Sequence, residues 1–281
     1  MLNLYLPMAY EIKVGCVFDK IKEIESESVD SVITSPPYYS LRDYGNEGQL
    51  GLEKTPEEYV QNLVKVFREV KRVLKPTGTL WLNIGDKYKN KQALLIPYKV
   101  VIALQNDGWI VRQDIIWAKK NCMPEPAKDR CVKSHEYVFL LSKNKNYYFD
   151  YEAIKEPVAN PNRKNYVGGS RSNGKNKDRN DNDMSKRMKG KTFEKRNKRS
   201  VWTTSVKAYP EAHFAVYPPE LIESCVLAGC PSKGLILDPF AGSGTTGGVA
   251  EKHGRDSILI ELNPEYAKLI PDRIKSIQGV K

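Results

Sequence analysis

Two hydrophobic periods alternate along this chain of 281 residues. Short runs rich in apolar and β-branched residues, "SVIT" (31–34), "GTLWLNIGD" (78–86), "WIVRQDIIWAKK" (109–120), "EYVFLLSK" (136–143), "NYYFD" (146–150), "GLILDPF" (234–240) and "DSILIELN" (256–263), predict strands. Between them the period lengthens. In "PEEYVQNLVKVFREVKRVL" (56–74), Tyr59, Leu63, Val66, Val70, Val73 and Leu74 fall on one helical face; Pro56 opens this helix and Lys75-Pro76 stops it. "ALLIPYKVVIALQNDG" (93–108) predicts a helix ending at Gly108, with Pro97 as a kink or a later start. "PPELIESCVLAGC" (218–230), the turn and helix of "GSGTTGGVAEKHG" (242–254) and "PEYAKLIPDRI" (264–274) complete the set. Strand alternating with helix predicts an α/β protein, a Rossmann-like, doubly wound, mostly parallel sheet covered on both faces. No internal repeat is found, and no apolar run approaches the ~20 residues of a membrane span.

Composition changes this picture in one place. An apolar fraction of 40% is ordinary for a globular chain. The net charge of +11, however, is concentrated: residues 160–200 hold 14 Lys+Arg against 4 Asp+Glu, whereas the remainder holds 31 against 30. That segment is interleaved with Gly, Asn and Ser and has too little apolar surface to order itself alone. It reads either as a solvated insertion or as a polyanion-binding loop, and the charge favours nucleic acid. The five cysteines form no C-x-x-C pair and the three histidines are scattered, so the thiols read as reduced small core residues and no metal site is expected. The opening "MLNLYLPMAY" has neither a basic leader nor a long apolar core, and a cytoplasmic protein is expected.

Two stretches carry candidate chemistry. The strand "SVIT" runs into Ser35-Pro36-Pro37-Tyr38, which gives up backbone donors at a strand's carboxyl end, where open α/β sheets place ligands. "LILDPFAGSGTT" (235–246) is an apolar strand, an acid, an aromatic and a glycine-rich turn opening a helix, a layout that holds a nucleoside-containing ligand, with Gly242 and Gly244 allowing close backbone approach. It is neither a Walker loop nor G-x-G-x-x-G. The next strand ends in Glu261, placed to hold ribose hydroxyls or to cap the helix behind Asn263-Pro264.

Together, "TSPPYY" and "DPFAGSGTT" resemble the amino-methylating DNA methyltransferases that use S-adenosylmethionine; "WLNIGD", "DRCVKSHEYVFLLSKNKNYYFD" (129–150) and "RSVWTTSVKAYPEAHFAVYPPELIESCVLAGC" (199–230) extend the likeness over almost the whole chain outside the basic insertion. The order, catalytic motif first and cofactor motif last, resembles the circularly permuted β group. The resemblance implies a catalytic part at 1–155, a basic target-recognition insertion at 156–200 and a cofactor-binding part of the same domain at 201–281. It implies double-stranded DNA as partner, contacted through Arg163, Lys164, Arg171, Lys175, Lys186, Arg187, Lys198 and Arg199. Whether the protein is a monomer or a homodimer, and whether a cognate restriction endonuclease acts separately, stay open.

The same resemblance implies roles. Ser35, Pro36, Pro37 and Tyr38 would be catalytic: the Ser35 hydroxyl and the Pro36 carbonyl accept the two N–H groups of an exocyclic amine, and Tyr38 stacks the extruded base. Cofactor contacts would come from Gly15, Cys16, His213, Ala215, Asp238, Pro239, Phe240, Ala241, Gly242, Ser243, Gly244, Thr245, Glu261 and Asn263. His213 reads equally as a strand-edge or core histidine. Serine at the first motif position implies cytosine N4; adenine N6 is the alternative, and a DNA-binding protein without transferase activity the third reading. A carbon-5 route would use a Pro-Cys dipeptide, and the chain has only Cys230-Pro231. One departure stands out: where the family has Gly-Asp after the first strand, with the acid on the cofactor's adenine, this chain has Gly15-Cys16, so backbone atoms or Asp19 take over or affinity is lower.

Overall fold

The computed structural model describes residues 9–43, 45–159, 194–206 and 217–279. In chain order, β1 (Tyr10–Val14) leads through the single turn α1 (Val17–Lys20) to β2 (Val29–Thr34), α2 (Pro56–Val73) and β3 (Leu74–Ile84). A small hairpin, β4 (Tyr88–Lys89) and β5 (Gln92–Ala93), precedes α3 (Ile96–Asn106), β6 (Ile110–Lys119) and β7 (His135–Ser142). After β8 (Glu156–Pro157) and β9 (Lys195–Arg196) come β10 (Val201–Thr204), α4 (Pro219–Gly229), β11 (Leu235–Asp238), α5 (Thr245–Lys252), β12 (Asp256–Glu261) and α6 (Pro264–Gln278). The described residues fall into two compact units, one of 9–150 with 199–279 and one of 151–159 with 194–198. The smaller unit is held by the antiparallel β8–β9 pair, with Arg196 Nε 2.9 Å from Glu156 Oε1.

In the larger unit eight strands form one sheet in the order β1-β12-β11-β2-β3-β7-β6-β10. From β1 through to β3 every pairing is parallel; β7 alone runs antiparallel to both its neighbours, and β10 is again parallel to β6. The chain winds outward from the middle in both directions, β2 to β3 one way and β11 to β12 the other. The order therefore reverses between β2 and β11, which pair directly with Leu237 beside Val32. Crevices at such reversals, beyond the carboxyl ends of the strands, are where open α/β sheets hold ligands.

The apolar pattern explains why helices cover the sheet. Thr55 Oγ1 accepts the Glu58 N–H and Pro56 occupies the first turn, so α2 starts where the sequence predicts. Its buried face is Tyr59, Val60, Leu63, Val64, Val66, Phe67, Val70 and Val73, packed on Val29, Val32, Leu80 and Leu82 of the sheet. Each fully buried Leu, Phe or Val there contributes about 1.5–3 kcal/mol over an exposed one. Ala267, Ile270 and Ile274 of α6 form a second cluster with Leu259 and Ala241.

One expectation is corrected and two are made specific. "NYYFD" is not a strand: it is an extended segment bonding outward at two points, Tyr148 N–H to the Thr77 carbonyl and Asp150 N–H to the Ala228 carbonyl. Lys75-Pro76 stops α2 but lies inside β3, where the register between β2 and β3 shifts and the missing proline N–H costs no ladder bond. Helix α3 begins at Ile96 with Pro97 in its first turn, because the Asp86 carboxylate accepts the Leu95 and Ile96 N–H groups and fixes the start. Strand β10, unforeseen in the sequence, adds the outer edge.

Candidate active site

The carboxyl ends of β1, β2, β3, β6, β11 and β12 converge on one side of the sheet. Ser35 follows β2 and Pro239 follows β11, and because these strands are neighbours the two motifs meet. The junction is a buried clasp: Asp238, fully buried, receives four donors. Oδ1 accepts Thr34 Oγ1 at 2.7 Å and the Phe240 N–H at 3.0 Å, while Oδ2 accepts the Tyr217 hydroxyl at 2.9 Å and Thr246 Oγ1 at 2.5 Å. Burial pushes the Asp238 carboxyl up, and the four donors oppose that shift. With these donors in place, Asp238 orients the loops, and it is not among the residues that line the cavity.

The cavity at this junction has a volume of about 360 Å³. Of the expected cofactor residues, Gly15, Cys16, Pro239, Phe240, Ala241, Gly242, Ser243, Thr245, Glu261 and Asn263 line it; of the expected catalytic residues, Ser35, Pro36, Pro37 and Tyr38 do. Gly244 does not. It turns the loop at φ +89°, and a Cβ there would stand 2.8 Å from Ile270 Cγ2, so α6 packs tightly beneath the loop only because the residue is glycine. His213 and Ala215 lie outside the described residues, as do Arg163, Lys164, Arg171, Lys175, Lys186 and Arg187. Lys198 belongs to the smaller unit; Arg199 is in the larger one, just before β10.

On the cofactor side, Glu261 Oε2 accepts the Gly242 N–H and Oε1 the Asn263 N–H, both at 2.8 Å. It is Asn263, not Glu261, that caps α6, its Oδ1 accepting the Glu265 N–H. Each Glu261 oxygen keeps a lone pair for a ligand hydroxyl. Burial raises this carboxyl to about 7 against the backbone donors that favour its charged form. Ser243 Oγ and Thr245 Oγ1 are buried against the cavity with no hydrogen-bond partner among the described residues. Buried hydroxyls are seldom left so, and these two suit the polar end of a nucleoside–amino acid conjugate. The residues present therefore fit S-adenosylmethionine: Glu261 toward the ribose, and Phe240 with Ser243 and Thr245 toward the remainder.

Two consequences are measurable. The Glu261 charge is lost as pH falls through about 7, so affinity for a ligand whose hydroxyls donate to the carboxylate should rise between about pH 6 and 8. In Glu261→Gln it should be weaker and flat over the same range, as read by calorimetry. The buried charge also opposes folding at high pH: the unfolded group titrates near 4.5, so that penalty is absent below this value and complete above about 7. Cys16, where the resemblance implies an acid on the cofactor's adenine, lines the cavity just before α1, its carbonyl accepting the Asp19 and Lys20 N–H groups. Asp19 is 75% exposed beside Lys22 and does not line the cavity. Cys16→Asp should keep or strengthen cofactor binding, because a carboxylate accepts an amino group better than a thiol.

On the opposite wall are residues that sequence reasoning passed over. Asn83 lies near the end of β3, Trp117 and Lys119 at the end of β6, and Glu136 at the beginning of β7; all four line the cavity. The Tyr38 hydroxyl donates to Glu136 Oε2 at 2.7 Å, with Asn83 Oδ1 at 3.2 Å; Lys119 pairs with Glu136 Oε1. Ser35 Oγ donates to the Tyr38 oxygen at 3.4 Å. Burial and the Glu136 charge push the Tyr38 phenol well above its ordinary value, so it stays a neutral donor. The Tyr38 ring rests on Gly85, where a Cβ would come within 2.6 Å of Cε2. The signal was available in "WLNIGD" and "SHEYVFLL", stretches noted for their resemblance and given no role.

Comparisons with known proteins bear on the fold and the family. A family model for N6/N4 enzymes, described as DNA methylase, matches residues 29–272. The Type II methyltransferase M.SmaI of Serratia marcescens is 42% identical over 293 aligned residues, spanning 94% of this chain and 90% of that protein. Among solved structures, the PvuII DNA methyltransferase, described as cytosine-N4-specific, shares the fold with a TM-score of 0.69 at 20% identity, covering 98% of this chain and 96% of its own. A modification methylase of Thermus thermophilus, TTHA0409, solved in complex with S-adenosyl-L-methionine, gives a TM-score of 0.63 at 25% identity over 95% of each chain. The chain belongs to the N6/N4 DNA methylase family, Rossmann-like enzymes that methylate amino groups of DNA with S-adenosylmethionine as donor.

Proposed function

We propose that the protein methylates the exocyclic N4 of cytosine in a specific DNA sequence, as the modification enzyme of a Type II restriction-modification system whose endonuclease acts separately. The observation that carries the amine chemistry is the hydrogen-bond state of the first motif, and the serine at its first position, by resemblance, favours cytosine. The Ser35 hydroxyl donates to Tyr38, so its lone pairs face the cavity as acceptors. The Pro36 carbonyl receives no hydrogen bond from the described residues, whereas that of Pro37 accepts the Tyr59 hydroxyl at 2.8 Å. Two acceptors, one on Ser35 and one on Pro36, thus stand together for the two hydrogens of one amine.

A cytosine amine is a poor nucleophile because its lone pair is delocalised into the ring. When bound, S-adenosylmethionine supplies an electrophilic methyl carbon on a sulfonium. Ser35 Oγ and the Pro36 carbonyl take the two N–H groups and favour a pyramidal nitrogen with its lone pair free for attack. Tyr38 presents a ring for the swung-out base, an interaction worth ~1–3 kcal/mol. The clasp at Asp238 sets the relative position of the two motifs, so acceleration comes mostly from orientation. Base extrusion is needed because the amine is paired inside the duplex.

The insertion at 156–200 is assigned to target recognition on its charge, which includes Lys198 and Arg199. No described helix is long and apolar enough to cross a membrane; we place the protein in the cytoplasm with its DNA. Incubation with S-adenosylmethionine and unmodified bacterial DNA, digestion to nucleosides and mass spectrometry should yield N4-methylcytosine. N6-methyladenine in its place would overturn the assignment of the base while leaving the family intact.

A further inference from the structure

Trp117 and Lys119 are two positions apart on β6, so their side chains leave one face of the sheet at its carboxyl end. The Lys119 ammonium lies 4.7 Å from the centroid of the Trp117 ring. Glu136, opposite Trp117 in the register of β6 and β7, pairs with Lys119 and accepts the Tyr38 hydroxyl. A continuous line of contacts therefore runs from Ser35 through Tyr38 and Glu136 to Lys119 and Trp117. At its far end Trp117 is only 3% exposed, yet its Nε1–H has no acceptor among the described residues. A buried indole N–H on a cavity wall needs an acceptor from somewhere, and a ligand is the natural source.

We propose that Lys119 and Trp117 read the ring edge of the target cytosine, Lys119 Nζ donating to N3 and Trp117 Nε1–H to O2 while Ser35 and Pro36 hold the N4 amine. The inference rests on the cytosine reading and deepens it. From N4 to O2, the cytosine edge runs donor, acceptor, acceptor; the protein groups run Ser35 and Pro36 as acceptors, then Lys119, then Trp117 as donors. Their order along the line of contacts matches the order on the base. The corresponding edge of adenine runs donor, acceptor, carbon-bound hydrogen, and would leave the Trp117 N–H facing C2–H unpaired. Trp117 is thus the discriminating residue, and flipped bases are generally read at this edge. Glu136 is a positioning residue that fixes the Lys119 ammonium and the Tyr38 hydroxyl.

The test uses Lys119→Met, Trp117→Phe and the unaltered enzyme on duplexes carrying the methylated site, with the target base either cytosine or 3-deazacytosine, which lacks the N3 acceptor. On cytosine, each variant should lose roughly tenfold or more in kcat/KM, with cofactor affinity retained. The unaltered enzyme should lose a similar factor on 3-deazacytosine. Lys119→Met should lose little more on that base, whereas Trp117→Phe should lose the full factor again. The proposal is overturned if the Lys119→Met and 3-deaza losses multiply, or if Trp117→Phe folds and acts as well as the parent. The Lys119 arm decides the matter even if Trp117→Phe does not fold. If the unaltered enzyme produces N6-methyladenine, the cytosine reading falls; if it produces N4-methylcytosine and the losses multiply, only the ring-edge assignment falls.

Discussion

Replacing Ser35 by alanine is expected to lower the turnover of methyl transfer by about 10²-fold or more, the scale on which misplacing a reacting group costs rate, with affinities for DNA and S-adenosylmethionine changed by less than about threefold. Ser35 Oγ is one of the two acceptors proposed for the amine, and its own proton is directed to Tyr38. Alanine removes the acceptor without altering the backbone that carries the Pro36 carbonyl. The amine would then be held by a single contact and stay flat, conjugated with its ring. Single-turnover kinetics on a labelled duplex, with equilibrium binding alongside, separates the two quantities. Equal losses in rate and DNA affinity would place Ser35 in binding and remove it from the chemistry.

The second large effect is structural. Asp238→Ala should lower stability by about 3–5 kcal/mol, because several buried donors are each left short of an acceptor at about 1–3 kcal/mol, offset in part by no longer burying a carboxylate, and the melting temperature by roughly 6–20 °C for a chain of this size. The Thr34 hydroxyl and the Phe240 N–H would lose their acceptor, and the Tyr217 and Thr246 hydroxyls would be left with each other alone. Thr34→Val, which deletes one donor and leaves three, should cost only about 1 kcal/mol. Thermal denaturation of the two variants measures the contrast. If Asp238→Ala cost no more than Thr34→Val, the carboxylate would not be the clasp between the motifs.

Much of the fold was legible because its determinants are local. The helical spacing of Tyr59, Leu63, Val66, Val70 and Val73, with Pro56 ahead, defines α2 almost to the residue. The strands at "SVIT" and "DSILIELN" follow from apolar runs ended by turn residues. Less local features were missed. "NYYFD" has the composition of a strand, but its N–H groups reach Thr77 and Ala228 one at a time and no ladder forms. Strand β10 is four residues long and pairs in parallel with β6, while the Trp202 ring packs on Trp81, far away in sequence, with centroids 6.3 Å apart. The candidate site divides the same way: the two motifs could be read, whereas Asn83, Trp117, Lys119 and Glu136 carried no spacing that ties them together.

From its amino acids alone this chain declares a layered α/β architecture, a glycine-rich loop at a strand's end and a Ser-Pro-Pro-Tyr turn whose roles its family resemblance implies, since each of these depends on near neighbours in sequence. Tertiary structure alone decided that Asp238 clasps the two motifs together, because its four donors come from positions 34, 217, 240 and 246. It also decided the far wall of the cavity. One strand, β7, runs against its neighbours, and so the beginning of that strand, with Glu136, lies beside the ends of β3 and β6. The direction of a strand is settled by the packing of the whole sheet, and no periodicity in the sequence records it.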